Sequence, residues 1–113
     1  MKSEQEQVGR FVEFIGASHP AQVRKFQEEV TEAILTDDKT SKPYAMELTD
    51  VIIVSLGLIH CMGLDFQQLF DEKMKLNWEK YKEVRGLKKM GFSHEEAVQV
   101  IRRYWNEGKQ GSL

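Results

Sequence analysis

The 113-residue chain reads as all-α, a four-helix-bundle-type fold with one extra C-terminal helix. Apolar residues recur at three- and four-residue intervals through most of its length, and no segment alternates apolar and polar residues as a strand would. Only two prolines occur, and both fall between periodic segments. At this length one core is expected and two ordinary domains are not. The reading is therefore a single domain, with residues 1–85 as the bundle and 86–113 as a helical extension.

The first helix is expected from about Glu4 to Gly16, with Val8, Phe11, Val12 and Ile15 on one face, ending before Ser18, His19 and Pro20. The second runs from about Ala21 to Thr36, its apolar face built from Val23, Phe26, Val30, Ala33 and Ile34. Glu29 and Glu32 lie beside that face, and Glu28 points furthest from it. The polar stretch TDDKTSKP, Thr36 to Pro43, separates it from the third. That helix is expected from Pro43 to Met62, with Gly63 ending it. It is apolar almost all round, so it is expected to be the central, buried helix.

The fourth helix opens at Asp65, with Gln68 three residues on as in a capping box, and carries Phe66, Leu69, Phe70, Met74, Asn77 and Tyr81 along one stripe. Gly86 and Gly91 bracket a short break. The last helix opens on Ser93 with Glu96 three residues later, Phe92 and Ala97 placed as a hydrophobic staple, and Val98, Ile101 and Trp105 as its apolar face.

Composition narrows the function classes. With 30% charged residues and a mean hydropathy of -0.49, the chain reads as a soluble protein. A net charge of -2 and a pI near 5.9 leave no global basic footprint, which argues against binding long nucleic acid. Cys61 is the sole cysteine, so neither an intramolecular disulfide nor a cysteine-built zinc site can form. Its apolar surroundings predict a buried thiol in a reducing compartment, with the cytoplasm as the default. The N-terminus lacks an apolar signal core, and the longest apolar run, Val51 to Met62, is too short to span a bilayer.

The chemistry concentrates in two acidic clusters: EExxE, formed by Glu28, Glu29 and Glu32, and ExxD, formed by Glu47 and Asp50. On a helix, residues three apart sit about 60° from one another and residues four apart about 40°, so each cluster projects from one face. Glu47 shares a stripe with Val51, Val54 and Leu58, which points its carboxylate at least partly inward. An ionised carboxylate in an apolar setting must be protonated or compensated. Converging carboxylates make a cage for a hard divalent ion, Mg²⁺ or Mn²⁺, and no paired His or Cys selects zinc. Such ions bridge to substrate phosphates. The competing readings are a solvated charge run for EExxE and a structural salt bridge, for example Asp50 with Lys73.

A basic stripe follows on the fourth helix, where Lys73, Asn77 and Lys80 or Tyr81 recur at helical spacing. Lysines hold phosphates as point charges and an asparagine amide contacts a sugar, phosphate or base. The alternative is a solvated lysine face with Met74, Trp78 and Tyr81 as ordinary core.

In order, EExxEA at 28–33, ELTD at 47–50, GLD at 63–65 and KMKLNWEKY at 73–81 resemble the MazG-like family of all-α nucleoside triphosphate pyrophosphohydrolases. The resemblance covers roughly Phe11 to Tyr81. It implies a helical bundle that oligomerises, as a homodimer or homotetramer. The implied reaction hydrolyses a nucleoside triphosphate between its α and β phosphates, with Mg²⁺ as the cofactor and Mn²⁺ as a substitute. It further implies Glu29, Glu32, Glu47 and Asp50 as metal ligands. Glu28 resembles the acidic residue that orients or deprotonates the attacking water, and Lys73, Asn77 and Lys80 match nucleotide contacts.

Two segments depart from the family pattern. FIGASHPAQVRKF lacks the arginine-aspartate-tryptophan signature of some members, so no base preference carries over. Phe11, Phe14, His19 and Trp78 stand as either base-stacking groups or core. The extension from Gly86 to Leu113 is not covered, and its Arg102 and Arg103 read as part of a packing helix or as phosphate ligands. Two further function classes stay open beside the leading one: a non-catalytic helical binding module, and a related hydrolase acting on a phosphoribosyl nucleotide.

Overall fold

A computed structural model describes residues 2–111, and no strand occurs among them. Six helices follow one another: α1 Lys2–Ile15, α2 His19–Leu35, α3 Lys42–Cys61, α4 Phe66–Tyr81, α5 Val84–Lys89 and α6 His94–Gly111. The chain divides into two units, Met1–Leu69 and Phe70–Leu113.

In the first unit α3 packs against both α2 and α1. Each helix boundary has a local cause. Gly16 takes a φ of 66° and ends α1. Ser18 caps α2, its side chain accepting from the Ala21 N–H at 3.2 Å, so His19 and Pro20 form the first helical turn rather than the turn before it. At the other end of α2 the Lys39 ammonium donates to the carbonyls of Ala33 at 3.1 Å, Ile34 at 2.6 Å, and Thr36. These are among the last acceptors that a helix leaves unpaired, and a cation there also suits the helix dipole. Ser41 caps α3 by accepting from the Tyr44 N–H at 3.2 Å, with Pro43 in the first turn, and Gly63 at φ 72° follows its end.

The loop after α3 is held by one buried side chain. Gln5 of α1 donates from Nε2 to the Leu64 carbonyl at 2.9 Å and accepts at Oε1 from the Phe66 N–H at 2.8 Å. The start of α4 is capped by Asp65, which accepts from the Gln68 N–H at 3.2 Å.

The expectation that α3 is the central buried helix is corrected. Val54, Leu56 and Gly57 are buried, whereas Met46, Leu48, Ile52 and Ile53 are exposed. Two neighbouring helices cover only one side of a helix that is apolar all round. Cys61, expected to be buried, is likewise exposed, because it lies in the last turn of α3. With its first turn included, α3 is 20 residues long and apolar enough, by length and composition, to cross a membrane. It carries Glu47 and Asp50 and packs on α1 and α2.

The second unit contains most of α4, then α5 and α6, with α5 packed on α6. The expected break between Gly86 and Gly91 is a helix, α5, with Gly86 inside it; Gly91, at φ 101°, supplies the turn. The capping box of α6 forms as its spacing predicts: Ser93 Oγ accepts from the Glu96 N–H at 3.1 Å, and Glu96 Oε1 accepts from the Ser93 N–H at 3.0 Å. Among the described residues of this unit, Ala97 and Ile101 are buried. Met74 and Trp78, weighed as core, are exposed. Arg102 donates to the Tyr81 hydroxyl at 3.3 Å, which lowers the Tyr81 pKa.

Candidate metal centre

The acidic clusters meet across the α2–α3 contact. Glu29 and Glu32 lie one turn apart on α2, and Glu47 lies in the second turn of α3. One carboxylate oxygen from each falls within 4.8 Å of the other two. Glu29 is only 4% exposed, Glu47 is half-buried and Glu32 is exposed.

Burial makes this group costly as it stands. Glu29 Oε1 is paired with the Lys25 ammonium at 2.7 Å. Glu29 Oε2 and Glu47 Oε2, however, are buried without a hydrogen-bond partner. A buried acceptor left unpaired costs about 1–3 kcal/mol, and more when it is charged. The negative charge of Glu29, followed by loss of water, pushes the Glu32 carboxyl above its ordinary 4.5. The hydrogen bond to Glu29 raises Lys25 in turn, because it favours the ammonium.

These oxygens fit a hard divalent cation by their chemistry. The three converging groups are carboxylates, two present unpartnered buried oxygens, and their crowded negative charge is only partly offset by Lys25.

The other predicted site residues are placed as follows. Asp50, one turn after Glu47, is half-buried and lines a cavity with Glu29 and Lys25, but it is not among the three groups that converge. Glu28 is exposed and lines a shallow cleft with Arg24, Gln27, Thr31 and Glu32. Lys73 and Asn77 are exposed on α4 in the second unit. Lys80 is half-buried there, its ammonium 5.3 Å from the Tyr81 ring centre.

Lys25 was missed by the sequence reading. Its signal was the four-residue spacing to Glu29, which brings oppositely charged side chains together on a helix. Gln22, a further turn back and 7% exposed, was also missed, because a polar residue beside an apolar stripe carries no mark of burial.

Facing side chains of packed helices are a usual place to build a metal site, and the converging carboxylates of this all-α chain could hold one. Residues 10–77 match the family model described as phosphoribosyl-ATP pyrophosphohydrolase. That stretch exceeds half of the chain, and the protein belongs to this family, within the all-α MazG-like superfamily of nucleotide pyrophosphohydrolases. Its activity is of that general type, hydrolysis of a phosphoric anhydride bond. The match spans nearly the stretch covered by the motif resemblance, and both acidic clusters lie inside it. No curated protein sequence and no solved structure matches the chain.

Proposed function

We propose that this protein is a Mg²⁺-dependent nucleotide pyrophosphohydrolase that cuts between the α and β phosphates, releasing a nucleoside monophosphate and pyrophosphate. The observation that carries the reading is the convergence of Glu29, Glu32 and Glu47 within 4.8 Å, with two buried oxygens unpartnered. Those three carboxylates would hold the cation, with Asp50 one turn along α3 completing the set; Mn²⁺ would substitute. Bound there, a divalent ion supplies Lewis-acid stabilisation of phosphate charge and lowers the pKa of a coordinated water.

The remaining steps fall to this chain's side chains. Lys25 offsets part of the charge of Glu29 and holds that carboxylate in place. Glu28, exposed in the cleft that it lines with Glu32, is assigned to orient the attacking water and take its proton. The water oxygen bonds to phosphorus, the α–β anhydride bond breaks, and pyrophosphate leaves with the electron pair. Lys73, Asn77 and Lys80 are assigned to nucleotide contacts.

Two substrate classes share this bond. The family match favours phosphoribosyl-ATP, which would yield phosphoribosyl-AMP, and the ordered motifs equally suit a free nucleoside triphosphate. We further propose a homodimer or homotetramer, supported by the exposed Met46, Leu48, Ile52 and Ile53 of α3, and a cytoplasmic location.

The test incubates the chain and Mg²⁺ with phosphoribosyl-ATP and with a panel of ribo- and deoxynucleoside triphosphates, and measures pyrophosphate and monophosphate. Pyrophosphate from one class, lost on chelation and in Glu47→Gln, is expected. No pyrophosphate from any substrate would refute the proposal and favour a non-catalytic helical module.

A further inference from the structure

Glu29 offers its two carboxylate oxygens unequally. Oε1 is held by the Lys25 ammonium at 2.7 Å, while Oε2 is buried without a hydrogen-bond partner. The Glu29 side chain is more than nine-tenths buried, so little water reaches it to take the place of the ammonium.

The pair follows from local geometry. Lys25 and Glu29 lie four residues apart on α2, which sets them one turn apart on the same face, and Glu28 and Glu32 add their attraction for Lys25. Lys25 is itself half-exposed, at the wall of a cavity of about 640 Å³ that Glu29 and Asp50 also line. Charge therefore holds the ammonium on Oε1, and close packing does not.

Divalent ions differ in what they ask of a carboxylate. Ca²⁺ takes about 6–8 oxygens in flexible geometry and commonly draws both oxygens from one carboxylate. Mg²⁺ is smaller, demands a near-ideal octahedron and keeps several of its waters, so it needs few protein oxygens. A carboxylate with one oxygen committed to an ammonium cannot give both to an ion without losing that ion pair. The group is also small: Glu29, Glu32 and Glu47 each bring one oxygen within 4.8 Å of the other two. Single oxygens from few carboxylates suit Mg²⁺ and fall short of what Ca²⁺ requires.

We propose that Lys25 determines which divalent ion the centre accepts: by occupying Oε1 it leaves Glu29 a single oxygen to give, which favours Mg²⁺ over Ca²⁺. Lys25 acts through Glu29 as a positioning residue and does not touch the ion. The inference rests on the metal centre of the pyrophosphohydrolase reading. The positive charge of Lys25 opposes both ions alike, so the ratio of their affinities isolates its hold on Oε1.

The test measures Mg²⁺ and Ca²⁺ affinities by calorimetry on the metal-free full chain, in the parent, Lys25→Met and Lys25→Gln, with thermal melts in chelator to check folding. Methionine removes the charge and frees Oε1, whereas the glutamine NH₂ can still donate to Oε1 without the charge. The parent is expected to bind Mg²⁺ at least as tightly as Ca²⁺. In Lys25→Met the affinity ratio should shift toward Ca²⁺ by about tenfold or more, the usual scale for removing the outer partner of a ligand, and in Lys25→Gln it should stay within about threefold of the parent. An equal change for both ions in Lys25→Met would overturn the inference. So would a parent that prefers Ca²⁺ or binds neither ion, a result that no substitution can compromise. The tenfold shift in a chain that hydrolyses no nucleotide would sink the pyrophosphohydrolase reading and leave Lys25 its role, and an active chain with an unshifted ratio would do the reverse.

Discussion

Replacing Glu47 with glutamine should stabilise the metal-free protein while abolishing its response to divalent ions. Glu29 and Glu47 hold carboxylate oxygens within 4.8 Å of each other in a poorly solvated contact between α2 and α3. Two unit charges at that separation repel by roughly 3 kcal/mol at an effective dielectric of about 20. The Lys25 ammonium at 2.7 Å from Glu29 offsets part of this. A net gain of about 1–2 kcal/mol is then expected for Glu47→Gln in chelator, a rise in Tm of roughly 4–8 °C. In the parent, a cation at a hundred times its Kd contributes about 2.7 kcal/mol, or on the order of 10 °C. Thermal melts of parent and variant with EDTA, Mg²⁺ and Mn²⁺ separate the two effects. A variant that melts below the parent in EDTA, or that still gains the full metal shift, would show that these carboxylates are not a metal cage.

Three further outcomes are expected. Gln5→Leu removes both hydrogen bonds that tie Leu64 and Phe66 to α1, and should cost about 2–3 kcal/mol by denaturant unfolding, with hydrogen exchange accelerating first at Phe66. Ile52→Lys, at a residue 50% exposed on α3, should lower the oligomeric mass by light scattering while leaving helix content unchanged. The Glu96 carboxyl is held below its ordinary 4.5 by the Ser93 N–H. Its contribution is therefore present above pH 4.5 and lost as pH falls through the lowered value. The stability difference between parent and Glu96→Gln should shrink across that acid window, and a difference that is constant with pH would contradict the cap.

Much of the fold is local chemistry, and local chemistry is visible in sequence. Ser93 with Glu96, Asp65 before Gln68, and the glycines at 16, 63 and 91 mark boundaries through interactions spanning three or four residues. The α2 start was misplaced because a Ser-His-Pro segment suits a turn and a capped first turn equally. Glycine 86 was read as a break, yet a single glycine costs a helix only about 1 kcal/mol relative to alanine, and packing on α6 outweighs that in α5.

The candidate site divides the same way. Helical spacing alone puts Glu29 and Glu32 on one side of α2 and Glu47 on a stripe of α3, because both placements follow from 3.6 residues per turn. Which stripes face each other does not follow from periodicity. It depends on how α2 and α3 cross, and that contact brings Glu47, rather than Asp50, to Glu29 and Glu32. The same contact buries Glu29 to 4% exposure and strips two oxygens of partners, and packing against α3 holds Gln22 out of water. The all-α character, most helix ends and the supply of carboxylates are legible in the residue pattern alone. Which carboxylates converge and which side of α3 stays exposed follow from the packing, because convergence and burial belong to helix pairs and no single helix encodes them.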